Sequence, residues 1–256
     1  MEKKLEVSVI SPVFNERENL KTFVDSVTKV MHSTGMSWEL IVVDDGSDDG
    51  STTVIKELTN QDNIKCLLLA KNYGQTTAIQ AGFDNAIGKY LVTLDSDLQN
   101  DPKDIPALLH KLIEEELDLV VGWRKNRKDN YFLRNLPSSI ANKLIGNITG
   151  VKLHDYGCSL KAYRADVLKE VRLYGEMHRF IPAWMATKIP PSKISELVVT
   201  HHPRIAGKSK YGISRTFRVF IDLISVYFFM RFFSRPGHFF GLIGLLLSSI
   251  GSLILI

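Results

Sequence analysis

Cysteine is scarce in this chain: Cys66 and Cys158 are the two among 256 residues. They form no CxxC pair and stand at no cysteine–histidine spacing suited to zinc. Cys66 lies in an apolar run, Cys66-Leu67-Leu68-Leu69, and reads as a buried thiol. Two cysteines make no disulfide framework, so a reducing compartment fits. No leader is expected at the N-terminus either. Lys3 and Lys4 precede only a short apolar stretch, which Asn15, Glu16 and Arg17 interrupt, and the main domain is expected on the cytoplasmic side. No Gly-x-Gly-x-x-Gly turn follows the first apolar run, where Pro12 to Glu16 stands instead. That argues against the nucleotide-binding turn of a dehydrogenase. Internal repeats and low-complexity tracts are absent.

Acidic residues thin out late in the chain. From His201 to Arg235, seven Lys or Arg (204, 208, 210, 215, 218, 231, 235) stand against Asp222, a net +6. The same span holds the aromatic-rich section Phe217 to Phe233. Apolar length beside fixed positive charge suits helices lying on an anionic membrane face. From Phe239 to Ile256 no charged residue occurs over 18 positions, the lower limit for a membrane-spanning helix. The chain ends inside this run, which reads as a single terminal anchor or, as the favoured expectation, a membrane region cut short.

The rest has ordinary globular values, 45% hydrophobic and 23% charged residues with a mild net charge of +4, so disorder is not expected. The length suits one α/β domain with an appendage. Apolar runs alternate with helical patterns. Strands are predicted at Val7 to Val13, Leu40 to Val43, Ile64 to Leu69, Tyr90 to Leu94 and Leu117 to Gly122. Helices are predicted at Glu16 to Met31, Ser51 to Leu58, Thr76 to Ala86 and Ile105 to Glu115, and again from Arg134 to Gly150. A short strand-like piece follows at Leu160 to Tyr163. Continuous apolar strands between helices imply a parallel sheet covered on both faces. Ligands of such sheets bind beyond the carboxyl ends of the strands. Five polar clusters fall there: Pro12 to Glu16, Asp44 to Ser47, Lys71 to Gln75, Asp95 to Gln99, and Trp123-Arg124. Any one of them alone could be turn or capping chemistry.

Asp95-Ser96-Asp97 is the most informative. Two carboxylates one residue apart, just past a buried strand, can hold a hard divalent cation such as Mg2+ or Mn2+ through oxygen ligands. Such an ion would bridge a diphosphate and take up charge as a leaving group departs. A helix cap with a solvated turn before Pro102 is the alternative. His201 and His202, adjacent on an extended segment, point to opposite faces and do not suggest a shared metal.

Three motifs, Ser11-Pro12-Val13-Phe14-Asn15-Glu16, Val42-Val43-Asp44-Asp45-Gly46-Ser47 and Leu94-Asp95-Ser96-Asp97-Leu98-Gln99, resemble the family 2 inverting glycosyltransferases of GT-A fold. Asn72-Tyr73-Gly74-Gln75 and Asp155-Tyr156-Gly157-Cys158-Ser159-Leu160-Lys161-Ala162-Tyr163-Arg164 are similar to the polyprenyl-phosphate branch. That branch comprises dolichyl-phosphate mannose synthases, bactoprenol glucosyltransferases and aminoarabinose-type undecaprenyl-phosphate transferases. The resemblance runs from residue 7 to about 236.

The resemblance implies roles. Pro12, Phe14 and Glu16 match the nucleoside-contacting start of the family, where tyrosine is commoner than Phe14. Asp44 matches the acid that meets base or ribose, and Asp95 and Asp97 the metal and diphosphate motif. Gln99 matches an acceptor-side glutamine. Arg124, Arg134 and Ser138 match positions that hold phosphate, the last two assigned to the acceptor side. Arg204, Lys208 and Lys210 match the loop over the acceptor phosphate. Asp97, Arg124 and Asp155 are the candidate catalytic residues, although Asp155 reads equally as a turn residue before Gly157.

The chemistry is consistent with these roles. A lipid phosphate oxygen is already anionic near neutral pH and needs little general-base help. It needs positive charge to bring two anions together. Rival readings are a processive polysaccharide synthase, disfavoured by the lack of a Gln-x-x-Arg-Trp motif, a non-catalytic nucleotide-sugar-binding protein, and a transferase with a non-lipid acceptor. The expected organisation is an α/β GT-A domain over residues 1–200, a basic loop and juxtamembrane helices over 201–235, and a transmembrane helix over 236–256. The expected partners are a nucleotide-sugar, UDP-linked rather than GDP-mannose, a polyprenyl phosphate and membrane lipid, with no nucleic acid and with homo-oligomerisation left open. The expected location is a bacterial inner membrane.

Deleting residues 236–256 should leave protein that still binds anionic vesicles through the +6 span, with binding that weakens as salt rises. Vesicle co-sedimentation at low and high salt measures this. Binding lost entirely at low salt would show that the terminal helix alone anchors the chain.

Overall fold

Seven strands form one sheet in the order β3-β2-β1-β4-β6-β5-β7. The computed structural model describes residues 5–59, 61–125, 145–146, 150–173, 175–203, 221, 224–225, 227–229, 231–232 and 235–255. The strands are β1 (Val7–Val13), β2 (Trp38–Asp44), β3 (Ile64–Leu68), β4 (Tyr90–Thr93), β5 (Leu119–Trp123), β6 (Lys161–Arg164) and β7 (Ile194–Val198). The helices between them are α1 (Arg17–Ser33), α2 (Ser51–Leu58), α3 (Gln75–Asn85) and α4 (Ile105–Glu114), followed by the short α5 (Ala165–Leu168) and α6 (Ile181–Met185), and by α7 (Pro236–Leu255).

Sequence pattern explains these elements. Every residue of β2 is buried, as expected of a central parallel strand covered on both faces. In α1 the buried positions Leu20, Phe23, Val24, Val27 and Met31 repeat at helical spacing, so one stripe faces the core. Ile10, Leu40, Ile41 and Leu91 are sealed from solvent at the centre of the sheet. The predicted strand at 7–13 and helix at 51–58 match β1 and α2, and the other early elements shift by one or two residues at one or both ends.

The expectation of an all-parallel sheet needs correction. β1 runs parallel to β2 and β4, and β2 parallel to β3. β6 is antiparallel to both β4 and β5. The chain re-enters the sheet from the carboxyl-end rim, so the first residue of β6, Lys161, sits at that rim. β7, parallel to β5, was not foreseen. It is a half-exposed edge strand, whose pattern Ile194-Ser195-Glu196-Leu197-Val198 carries little periodic signal. The carboxyl ends of β1 to β5 share one rim, as anticipated.

α7 begins at Pro236, three residues before the uncharged run, because proline suits the first helical position. At 20 residues it is long and apolar enough to cross a membrane, and none of it is buried in the protein. That length corresponds to about 30 Å. Most of the span expected to form juxtamembrane helices, and most of the helix expected at Arg134 to Gly150, lie outside the described residues.

The packing of α3 on β1 leaves no room at Gly82, where an added Cβ would come within 2.3 Å of Ile10 Cγ2. Gly82→Ala is expected to destabilise the domain by about 1–3 kcal/mol through overpacking. Adding Ile10→Ala should cost less than the sum of the two single changes. Thermal midpoints of the four proteins decide it, and strict additivity would show that the two residues do not collide.

Candidate active site

The loops beyond β1, β2 and β3 are tied into one frame. Asn15 takes a left-handed conformation with φ of 55°. Its backbone N–H donates to Ser47 Oγ (3.0 Å) and its side-chain amide donates to Asp48 (2.7 Å). Asp44, buried at the end of β2, accepts from the Ser47 N–H (3.0 Å) and from the Thr52 hydroxyl. Asp45 accepts from the N–H groups of Tyr73 and Gly74, both at 2.8 Å, which draws the loop after β3 against β2. The approach is close enough that a Cβ on Gly46 would fall 2.4 Å from the Lys71 carbonyl carbon, and Gly46 has a φ of +70°. Glycine alone meets both demands.

These loops wall a cavity of about 200 Å³, lined by Pro12, Phe14 and Glu16 from the loop after β1 and by Asp95, Ser96 and Asp97 from the loop after β4. Asp45, Asn72, Gly74 and Gln75 line it as well. Asp95 accepts from the Gln75 side-chain amide (2.8 Å), and Asp97 accepts from the Gln99 N–H (3.1 Å). Leu98, between Asp97 and Gln99, has a φ of 60°, so the backbone turns just past the acid pair. Burial, and then the neighbouring Asp97, push the Asp95 carboxyl up to about 6.

The donor set fits a divalent cation. Two hard carboxylates share the cavity wall, and burial raises the cost of their mutual repulsion. No cluster of three or more His, Cys, Asp or Glu ligands occurs among the described residues. The pair would therefore share a cation with ligands from a bound diphosphate and water, the usual arrangement for Mg2+.

Next to the acids, at the end of β5, Arg124 makes a two-pronged ion pair with Asp155, at 2.7 Å and 3.0 Å. Both side chains are nearly buried, and such forked pairs fix the guanidinium in orientation as well as place. Asp155 also accepts from the Gly157 N–H (3.2 Å). The turn reading and the charged reading of Asp155 therefore hold together. Its bond to Arg124 leaves it poorly suited to act as a base. Lys161, 2% exposed, donates its Nζ to the Cys158 carbonyl oxygen.

A second set of contacts joins the acid loop to the strand that leads towards the C-terminus. Asn100 forms a backbone bridge with His201, and its side-chain amide donates to Ser159 Oγ (2.8 Å). The His202 N–H donates to the Gln99 carbonyl (2.7 Å), and His202 Nε2 lies 3.1 Å from Asp101. The two histidines thus serve separate contacts.

Of the residues singled out in the sequence, Pro12, Phe14, Glu16, Asp95 and Asp97 line one cavity. Gln99, Arg124 and Asp155 lie at the same end of the sheet but not in that wall. Asp44 is not in the wall either, and it is the next residue, Asp45, that reaches it. Arg134, Ser138, Arg204, Lys208 and Lys210 lie outside the described residues. Sequence reasoning assigned no part to Asp45, Gln75 or Lys161. Adjacent Asp44 and Asp45 give no periodic cue to which one faces the cavity. The antiparallel entry of β6, which brings Lys161 to the rim, has no signature in spacing.

Residues 8–172 match the family described as glycosyl transferase family 2. A dodecaprenyl-phosphate galacturonate synthase of Rhizobium johnstonii is 56% identical over 254 residues, 98% of this chain and 75% of that protein. An undecaprenyl-phosphate 4-deoxy-4-formamido-L-arabinose transferase of Yersinia pestis is 39% identical over 221 residues, 86% of this chain and 66% of its own length. Among solved structures, glucosyl-3-phosphoglycerate synthase from Mycobacterium tuberculosis, in complex with Mn2+, UDP-glucose and phosphoglyceric acid, superposes with a TM-score of 0.67. The identity is 17%, over 88% of this chain and 79% of that one. At that identity the likeness speaks for the fold, which is GT-A.

Asp95 fixes the sign of a pH effect. Its folded value near 6 lies above the ordinary carboxylate value of about 3.9. Its contribution to stability is therefore present below about pH 4 and is lost as pH rises to about 6. A cation that binds the ionised pair should restore it. In EDTA the contribution of this group to the thermal midpoint should fall across that window. Added Mn2+ should raise the midpoint more at pH 7.5 than at pH 5, and Asp97→Asn should abolish the rise. An equal Mn2+ effect at both pH values would contradict this account of the pair.

Proposed function

The chain belongs to glycosyl transferase family 2, and we propose that it is a polyprenyl-phosphate sugar synthase of that family. It moves a sugar from a nucleoside-diphosphate donor to the phosphate of a membrane-held polyprenol. The observation that carries the reading is the cavity itself, whose wall includes the Asp95–Asp97 pair, with the Arg124–Asp155 ion pair near it. The 56% identity to a dodecaprenyl-phosphate galacturonate synthase supports a uronic acid as the sugar, and UDP is the proposed carrier. Both relatives come from bacteria, and the exposed apolar α7 suggests membrane attachment. The inner membrane is then the proposed site, with the catalytic domain on the cytoplasmic side, where nucleotide-sugars are made. Residues 1–200 form the catalytic domain, residues 201–235 the basic acceptor loop and juxtamembrane segment, and residues 236–256 the membrane helix.

The proposed reaction is a one-step displacement at the anomeric carbon with inversion. An oxygen of the lipid phosphate attacks, and the bond to the nucleoside diphosphate breaks. Pro12, Phe14 and Glu16 hold the nucleoside against the ends of β1 and β2, with Asp44 keeping the turn beside them in shape and Asp45 present in the wall. Asp95 and Asp97 would hold Mg2+ or Mn2+, which when bound supplies positive charge to the departing diphosphate. Arg124, fixed by Asp155, adds charge at the same end without having to reorganise. Gln99, Arg134, Ser138, Arg204, Lys208 and Lys210 receive the acceptor phosphate. That group stays near headgroup depth because its tail is held in the bilayer.

The test is transfer by detergent-solubilised protein from UDP-galacturonate to a polyprenyl phosphate, with the lipid product identified by mass spectrometry. Asp97→Asn should abolish transfer. Arg204→Ala should lower kcat/KM for the lipid by roughly ten- to a hundredfold, the range of a charge-assisted phosphate contact, with little change in donor binding by calorimetry. No transfer from UDP-galacturonate, with transfer from another UDP-sugar, would overturn the uronic acid. No transfer to polyprenyl phosphate from any nucleotide-sugar would overturn the acceptor.

A further inference from the structure

Lys161 is a buried charge at the rim that the proposed reaction leaves without a part. It opens β6, and its register partners are Thr93 of β4 and Val121 of β5. Asp95 lies two residues past Thr93, and Arg124 three past Val121. The ammonium thus enters the sheet between the strand that carries the acid pair and the strand that carries the guanidinium. Its Nζ donates to the Cys158 carbonyl oxygen. A carbonyl satisfies a hydrogen bond but does not neutralise a buried charge.

The nearby charges sort into pairs. Arg124 and Asp155 neutralise each other through two hydrogen bonds. Asp155 acts on Lys161 more strongly than Asp95 does, but its carboxylate is already matched by Arg124, which leaves Asp95 as the acid that the ammonium can balance. Burial pushes the Lys161 ammonium down and the Asp95 carboxyl up, and their mutual attraction opposes both effects. A hydrogen bond from Ser159, then the charges of Lys161 and Arg124, hold the Asp95 carboxyl down against that rise.

We propose that Lys161 is a positioning residue, a resident counter-charge that holds the Asp95–Asp97 pair in place and sets how tightly it binds a divalent cation. The inference rests on the cation-site reading given above. It has a consequence of two signs. With the ammonium removed, the field at the acid pair becomes more negative, so cation binding tightens. The same change removes an attraction for the donor diphosphate, so donor binding weakens. A residue that merely filled space would lower thermal stability without tightening cation binding.

The experiment uses the full chain in detergent at pH 8, with free Mn2+ followed by electron paramagnetic resonance. Lys161→Gln keeps a donor for the Cys158 carbonyl and drops the charge. Its Kd for Mn2+ should fall about tenfold, and its KM for the nucleotide-sugar should rise about tenfold, the scale of one unit charge at short range in a partly screened site. Lys161→Arg keeps the charge and should hold both values within about twofold. Mn2+ binding that is unchanged or weaker in Lys161→Gln would overturn the proposal. Failure of Lys161→Gln to fold, whatever Lys161→Arg does, would assign the charge to the fold and overturn it as well. Wild-type protein that binds no Mn2+ would remove the cation-site reading, and this inference with it.

Discussion

Two carboxylates held side by side in a partly buried cavity repel each other, and much of the surrounding architecture answers that repulsion. Asp95 takes a hydrogen bond from Gln75 at the start of α3 and Asp97 takes one from the Gln99 backbone. These contacts fix the carboxylates without neutralising them. Of the nearby cations Arg124 is already matched by Asp155, and Lys161 sets one positive charge against two acids. The site as built therefore retains negative charge among its described residues. A fixed but incompletely compensated pair of acids is a receptor for positive charge, and a diphosphate then finds a place beside that charge.

The departure from a parallel sheet follows from the same need. With β5 placed directly against β4, the rim there would receive only strand exits. Inserting β6 antiparallel between them brings a strand entry to the rim, and with it Cys158, Ser159 and Lys161. Thr93 donates to the Ser159 carbonyl (2.7 Å), and the Gly122 N–H donates to the Leu160 carbonyl (2.9 Å). The entering segment is thus sealed to both neighbours just where the charges gather.

The sequence was most legible where burial imposes a period. β1 and α2 lie at their predicted bounds, because a two-sided strand and a one-sided helix each leave an unambiguous pattern. The acid pair and the Pro12–Glu16 turn were legible as chemistry at strand ends. β7 was not, since an edge strand of mixed polarity needs no apolar face. The choice between Asp44 and Asp45 was not legible either. It depends on which carboxylate the Ser47–Thr52 turn captures and which one reaches the loop after β3. The family resemblance supplied residue roles that local physics alone would have left open.

The bridge between Asn100 and His201, with the His202–Asp101 contact beside it, makes the acid loop a mechanical fastening point. The chain that departs from it at Pro203 re-emerges among the described residues as it approaches α7. In that approach Phe229 packs against Trp184 of α6, with ring centroids 5.5 Å apart, so the segment before α7 touches the domain at a second point. Among the described residues, the acid loop and α6 are therefore two places where the segment that leads to α7 is held to the domain.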